Sequence, residues 1–230
     1  MRIDRSKPLP PHLQKRFEEM SAKLILERLF PNRYSDLKLS DKPDLQDSRN
    51  SIGVEVTSSM GEEDREGLRL WSTAVHLPDG VEKEKKIKRL QKLGVKYSGG
   101  IQCWPAKHYN PFDTESGPCY EFLAAVRKKL DRLNQGHYAQ MQQYDLFVNS
   151  DLFMWPEEQD VRMAWFLPYL EKDNKREHNF SFIYALGCNT LYTWNMREGK
   201  YMVRELDINF QKVFFEAKEL VIQEEESKDE

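Results

Sequence analysis

The stretch Lys42-Pro43-Asp44-Leu45-Gln46, followed by Ile52-Gly53-Val54-Glu55-Val56-Thr57, decides how this chain is read. In the second run Ile52, Val54 and Val56 alternate with Gly53, Glu55 and Thr57. Strand side chains alternate between two faces, so Glu55 and Thr57 share the face opposite the aliphatic residues. Asp47-Ser48-Arg49-Asn50 between the runs is a turn cluster, which predicts a hairpin of two strands with one carboxylate on each. A glutamate in so apolar and β-branched a strand is costly to bury unless its charge is compensated. A hard divalent cation between Asp44 and Glu55 compensates both. Mg2+ suits two carboxylates because it keeps several waters and also takes phosphate oxygens.

Outward from the hairpin, apolar spacing predicts a first helix over about 11–30, ended by Pro31-Asn32-Arg33. A lysine-rich helix is expected from Val81 to Val95, with Ile87, Leu90 and Leu93 inward. Another runs from Tyr120 to Asn134 with Phe122, Val126, Leu130 and Leu133 on its core face, and Gly136 stops it. Tyr144 to Ser150 reads as a buried strand. A further helix opens at Pro156, Phe180–Leu186 and Leu191–Trp194 form a hairpin, Lys200–Leu206 adds an edge strand, and a last helix covers 209–223. This order suits an α/β sandwich with a mixed central sheet. One domain is expected over 11–223, its core at about 11–150 and an extension at 151–223. Residues 1–10 and the acidic tail 224–230 are expected to be disordered.

Pro43-Asp44 and Glu55-Val56-Thr57 resemble the PD-(D/E)xK signature of the restriction-endonuclease-like nucleases. The resemblance implies a restriction-endonuclease-like mixed central sheet flanked by helices, with the site at one end of the hairpin. It implies that Asp44 and Glu55 bind Mg2+ (or Mn2+), with the Val56 carbonyl as a further ligand, and that the reaction is metal-dependent phosphodiester cleavage in nucleic acid, DNA being the expected substrate. Enzymes of this superfamily that cut both strands are often dimers, so the resemblance allows a homodimer.

This chain departs from the signature at Thr57, where the family has a lysine. A hydroxyl can hold a water but cannot supply the charge of an ammonium. Two readings stay open. In one the lysine has migrated, typically onto the helix after the glutamate strand. Lys88 and Lys92, four apart on one face of the lysine-rich helix, are then the candidates. In the other the chain is a catalytically inactive nuclease-like module that binds nucleic acid or protein. Family members also place a glutamate of the first helix near the metal. Glu18 lines up with Ala22, Ile25 and Leu29 and is the expected inward residue, while Glu19 lines up with Lys15, Lys23 and Glu27 on what reads as an exposed, charge-paired face.

The hydrophobic content of 39% and aromatic content of 12% are ample for a core. No apolar run approaches the length of a membrane span, and the start of the chain has no apolar leader, so a cytoplasmic protein without a membrane partner is expected. Cys103, Cys119 and Cys188 form no paired spacing, which argues against a zinc knuckle or disulfide framework. No phosphate-loop, dinucleotide or serine-hydrolase motif occurs, and no HExxH pair, although His76 and His108 are worth mapping. The formal net charge of -3 gives no global nucleic-acid footprint. Locally, Lys83–Lys96 concentrates basic residues. Lys85, Arg89 and Lys96 there are the expected backbone contacts to nucleic acid, and Trp104 and Tyr109, near Lys107, are candidates to stack on bases.

Overall fold

The computed structural model describes residues 3–5, 9–61, 66–67, 70, 73–74, 77–93, 114–136, 138–150, 156–187, 190–207 and 212–229. Seven strands form one sheet in sequence order: β1 (Lys38–Leu39), β2 (Leu45–Asp47), β3 (Ile52–Ser58), β4 (Gln143–Ser150), β5 (Phe180–Gly187), β6 (Thr190–Asn195) and β7 (Lys200–Glu205). The pairs β3–β4 and β4–β5 are parallel and the other four antiparallel, so the sheet is mixed. The helices are α1 (Gln14–Leu29), α2 (Val81–Lys92), α3 (Gly117–Asn134), α4 (Gln159–Asp173) and α5 (Lys212–Glu226). The fold is the mixed α/β class expected from the order of elements. Among the described residues no helix is long and apolar enough to cross a membrane.

Strand alternation sorts the core into two layers. Ile52, Val54, Val56, Phe147, Tyr184 and Leu186 pack with α1 and α5 on one face. Leu146, Val148, Ile183, Ala185 and Trp194 pack with α3 and α4 on the other. Glu55 lies between Val54 and Val56 and therefore points toward α3.

Two buried carboxylates fix the frame around the hairpin. Asp47 closes the β2–β3 turn by accepting the Asn50 N–H at 2.9 Å, and it ties in the approach to β1 by accepting the N–H groups of Ser35 and Asp36. Asp145 of β4 is fully buried and anchors the end of α1. It accepts two bonds from Arg33 Nη2, the shorter at 2.7 Å, and one from the Tyr34 hydroxyl at 2.7 Å. Arg33 Nε adds another at 3.2 Å, and a fifth comes from the Phe182 N–H at 2.9 Å. The Arg33 guanidinium also lies 4.3 Å from the centre of the Phe182 ring. A buried carboxylate so fully bonded is tolerable where an unpaired one is not.

Two segments expected to lack structure carry contacts instead. The Ile3 N–H and Arg5 bond to Glu226, and Arg16 bonds to Glu224 at 3.0 Å. Pairing with these basic groups lets Glu224–Glu226 form the last turn of α5 rather than a free acidic tail.

Candidate functional site

The hairpin delivers the two signature carboxylates together. Leu45 pairs with Val54 in the antiparallel ladder, so the register sets Asp44 opposite Glu55. Past Leu45 the ladder ends, and the Val56 N–H donates instead to Asp44 Oδ2 at 2.8 Å. The N–H and C=O of one strand residue point to the same flank. The Val56 carbonyl therefore faces the side on which Asp44 sits. Gly53 makes this approach feasible, because a Cβ there would lie 2.4 Å from Pro43 Cγ. The proline ring cannot swing aside as a flexible chain would. Gly53→Ala is expected to lower stability by about 1–3 kcal/mol through overpacking and to weaken cation binding by displacing Asp44. Urea unfolding and calorimetric titration with Mn2+ measure the two effects, and an unchanged midpoint would show that the ring yields.

A lysine of α3 meets both carboxylates. Lys129 Nζ donates to Glu55 Oε2 at 2.5 Å and to Asp44 Oδ2 at 3.3 Å, so both carboxylates meet one ammonium. Lys129 itself is only 8% exposed. The sequence placed Lys88 or Lys92 as the candidates to reach these carboxylates, and the structure places Lys129 there. Lys88 and Lys92 are exposed on α2, as is Lys85, while Arg89 pairs with Glu66 at 3.0 Å. The signal that could have pointed to Lys129 is its position. It falls on the same stripe as Phe122, Val126 and Leu133, where a lysine needs a buried anion.

The first helix is also corrected. Glu19, not Glu18, points inward: Glu19 is buried and Glu18 half-buried. Lys15 Nζ sits between Glu19 Oε1 at 3.1 Å and Asp44 Oδ1 at 3.2 Å. The stripe Lys15–Glu19–Lys23–Glu27 reads as solvated because its charges alternate. In the structure its carboxylates face the chain around the hairpin, with Glu27 accepting the Leu37 N–H at 3.1 Å. Tyr138, which carries no signal in the sequence, lies close enough to Glu55 for the two groups to shift each other's ionisation. Thr57 keeps to the face of Glu55 and is half-buried. Lys96, Trp104, Lys107, Tyr109, His76 and His108 lie outside the described residues.

The electrostatics of the two signature carboxylates diverge. Burial pushes Asp44 up, but the Lys129 ammonium, the Val56 N–H and Lys15 together outweigh it and hold Asp44 below the ordinary aspartate range. At Glu55 burial prevails over Lys129 and, with the neighbouring Asp44 charge, holds the group above the ordinary glutamate range. Glu19 is likewise raised by burial against the pull of Lys15. Desolvation opposes the charge of Lys15, yet Asp44 and Glu19 prevail and raise it.

The donor set suits a small hard cation: two carboxylates and a backbone carbonyl on one flank, all oxygen. Among the described residues no group of three or more His, Cys, Asp and Glu side chains forms a metal cage. Comparison of the chain with family models, curated proteins and solved structures returned no match.

Proposed function

We propose that this protein is a metal-dependent phosphodiesterase of the endonuclease type acting on nucleic acid, with Asp44, Glu55 and the Val56 carbonyl holding Mg2+ or Mn2+. The observation that carries the reading is Lys129, a buried lysine on a helix between the glutamate strand and β4, with its ammonium on both signature carboxylates. That is the charge the Thr57 departure removes, restored from another element. A bound Mg2+ would polarise a phosphate oxygen and acidify a water. Lys129 orients Glu55 and Asp44 and adds fixed positive charge where negative charge develops on the phosphate. The Thr57 hydroxyl, on the face of Glu55, is placed to hold a water. The exposed Lys85, Lys88, Arg89 and Lys92 on α2 offer salt-sensitive contacts to the phosphate backbone.

Titration of the protein with Mn2+, alone and with a non-cleavable phosphorothioate duplex, tests the reading. Binding is expected in the parent and is expected to be lost in Asp44→Asn and Glu55→Gln, with Mg2+-dependent cleavage of DNA lost in the same two variants. No binding by the parent under either condition would overturn it. A second reading, an inactive binding module, draws on the same ion pairs, since Lys15 and Lys129 already compensate Asp44 and Glu55 within the chain. It requires that duplex binding be indifferent to Mn2+.

A further inference from the structure

The two oxygens of Asp44 are held in different ways. Oδ2 is locked from within the fold, by the Val56 N–H at 2.8 Å and by the buried Lys129 at 3.3 Å. Oδ1 meets Lys15 at 3.2 Å, and the Lys15 side chain is 71% exposed while that of Asp44 is 6% exposed. Lys15 is thus a solvated stem whose tip reaches in to a buried carboxylate. Its second partner, Glu19, is buried beside it on the same helix. The ammonium reaches Oδ1 from the solvent side, so it can leave that oxygen without any change in the buried contacts of Oδ2. A divalent ion carries twice the charge on a smaller radius and would compete for the same oxygen. Lys15 lies in the first turn of α1, which fixes its Cα, so a displaced ammonium remains at the mouth of the site.

We propose that Lys15 is the occupant of the cation-binding oxygen of Asp44 in the metal-free protein, and that cation loading frees it to contact the phosphate of the bound nucleic acid. The inference rests on the reading of Asp44 as a cation ligand. It makes the binding of cation and of nucleic acid mutually reinforcing, since each favours the state in which Lys15 has left Oδ1, and linkage requires the coupling to be equal in both directions.

The test compares the parent with Lys15→Met, Lys15→Gln and the control Lys23→Met, whose lysine pairs with Glu27 at 2.7 Å on the same helix. Mn2+ affinity is measured by calorimetry, and affinity for a phosphorothioate duplex is measured with and without Mn2+. Both Lys15 variants are expected to bind Mn2+ about 5-fold or more tightly than the parent in the absence of duplex. The gain in duplex affinity that Mn2+ gives the parent is expected to shrink by a similar factor. Lys23→Met should behave as the parent, and urea unfolding should show all three variants folded. Parent-like Mn2+ affinity in the Lys15 variants, with parent binding still dependent on Asp44, overturns the role of Lys15 alone. Equal tightening in Lys23→Met reduces the effect to general helix charge and overturns it as well. Absence of Mn2+ binding in the parent, with or without duplex, overturns both this inference and the functional reading beneath it.

Discussion

Lys129→Met is expected to reduce Mg2+-dependent cleavage by roughly 10²–10³-fold, the scale on which loss of one preorganised charge-stabilising group acts. The substitution keeps a long apolar stem in the stripe it shares with Phe122, Val126 and Leu133 but removes the ammonium from Glu55 Oε2 and Asp44 Oδ2. Lys129→Arg should not restore activity. A planar guanidinium presents its charge as a rigid fork, and the space between these two carboxylates is matched to a compact ammonium. The same change leaves two buried carboxylates short of a partner, so Lys129→Met is also expected to cost about 3–5 kcal/mol at neutral pH. The sign of its pH dependence separates the two effects. Glu55 already sits above its ordinary value of 4.5 because of burial, with Lys129 pulling it down. Without Lys129 it rises further, so between its unfolded and folded values the folded state binds more protons than the unfolded state. Stability then falls as pH rises through that window. The stability deficit of Lys129→Met should therefore shrink as pH is lowered toward the ordinary glutamate range, while the activity deficit should persist wherever the variant is folded. Urea unfolding at several pH values and cleavage assays in the folded range check each part. Full cleavage by folded Lys129→Met would remove the basis for assigning the missing charge to α3.

The contrast between what could and could not be read in the sequence follows from the range of each signal. Period-two alternation in Ile52–Thr57 and the turn cluster from Asp47 are local, and they place Glu55 on one strand of a hairpin and Asp44 beside the end of the other without further information. Which lysine meets the two carboxylates is a tertiary fact. Lys88 and Lys92 stand out because they sit in a dense basic run, yet density of charge marks a solvated face. Lys129 stands alone within an apolar stripe, and isolation there is the stronger sign of burial against an anion. The same inversion governs α1. Glu18 aligns with aliphatic residues and reads as inward, but Glu19 has the counter-charges, Lys15 and Arg16, that make burial bearable. Tyr138 has no periodic context at all, since it follows the helix stop at Gly136, and only the folded chain brings it to Glu55. The contacts of Ile3 and Arg5 with α5 join positions more than two hundred residues apart, beyond the reach of any window along the sequence.

Arg33→Leu is expected to cost about 3–5 kcal/mol, the usual penalty for removing one partner of a buried ion pair. The change strips Asp145 of its only counter-charge among the hydrogen bonds described, leaving the Tyr34 hydroxyl and the Phe182 N–H to hold a carboxylate with no solvent exposure. Burial already raises Asp145 above the ordinary aspartate value of 3.8, with Arg33 as the chief opposing influence. Removing Arg33 raises it further. For a carboxylate raised in the folded state, the folded protein holds the proton in the window where the unfolded chain has released it, so stability declines as pH rises through that window. Arg33→Leu should thus be least stable at neutral pH and recover progressively on acidification toward the ordinary aspartate range. Arg33→Leu/Asp145→Leu should regain part of the loss at neutral pH, because removing both charges avoids the stranded carboxylate. The regain is incomplete, since the Phe182 N–H then loses its acceptor. Urea denaturation of the two single variants and the double variant at neutral and acidic pH gives the coupling directly. Additive losses with no pH dependence would mean that Arg33 stabilises the end of α1 through its contact with the Phe182 ring and not through Asp145. This network lies on the α1 and α5 face of the sheet, whereas Glu55 and Lys129 meet on the α3 face, so residual Mn2+ binding by folded Arg33→Leu should match the parent. A site that fails when this anchor is removed, in protein that is still folded, would show that the position of α1, and with it Lys15 and Glu19, is set from the far end of the helix.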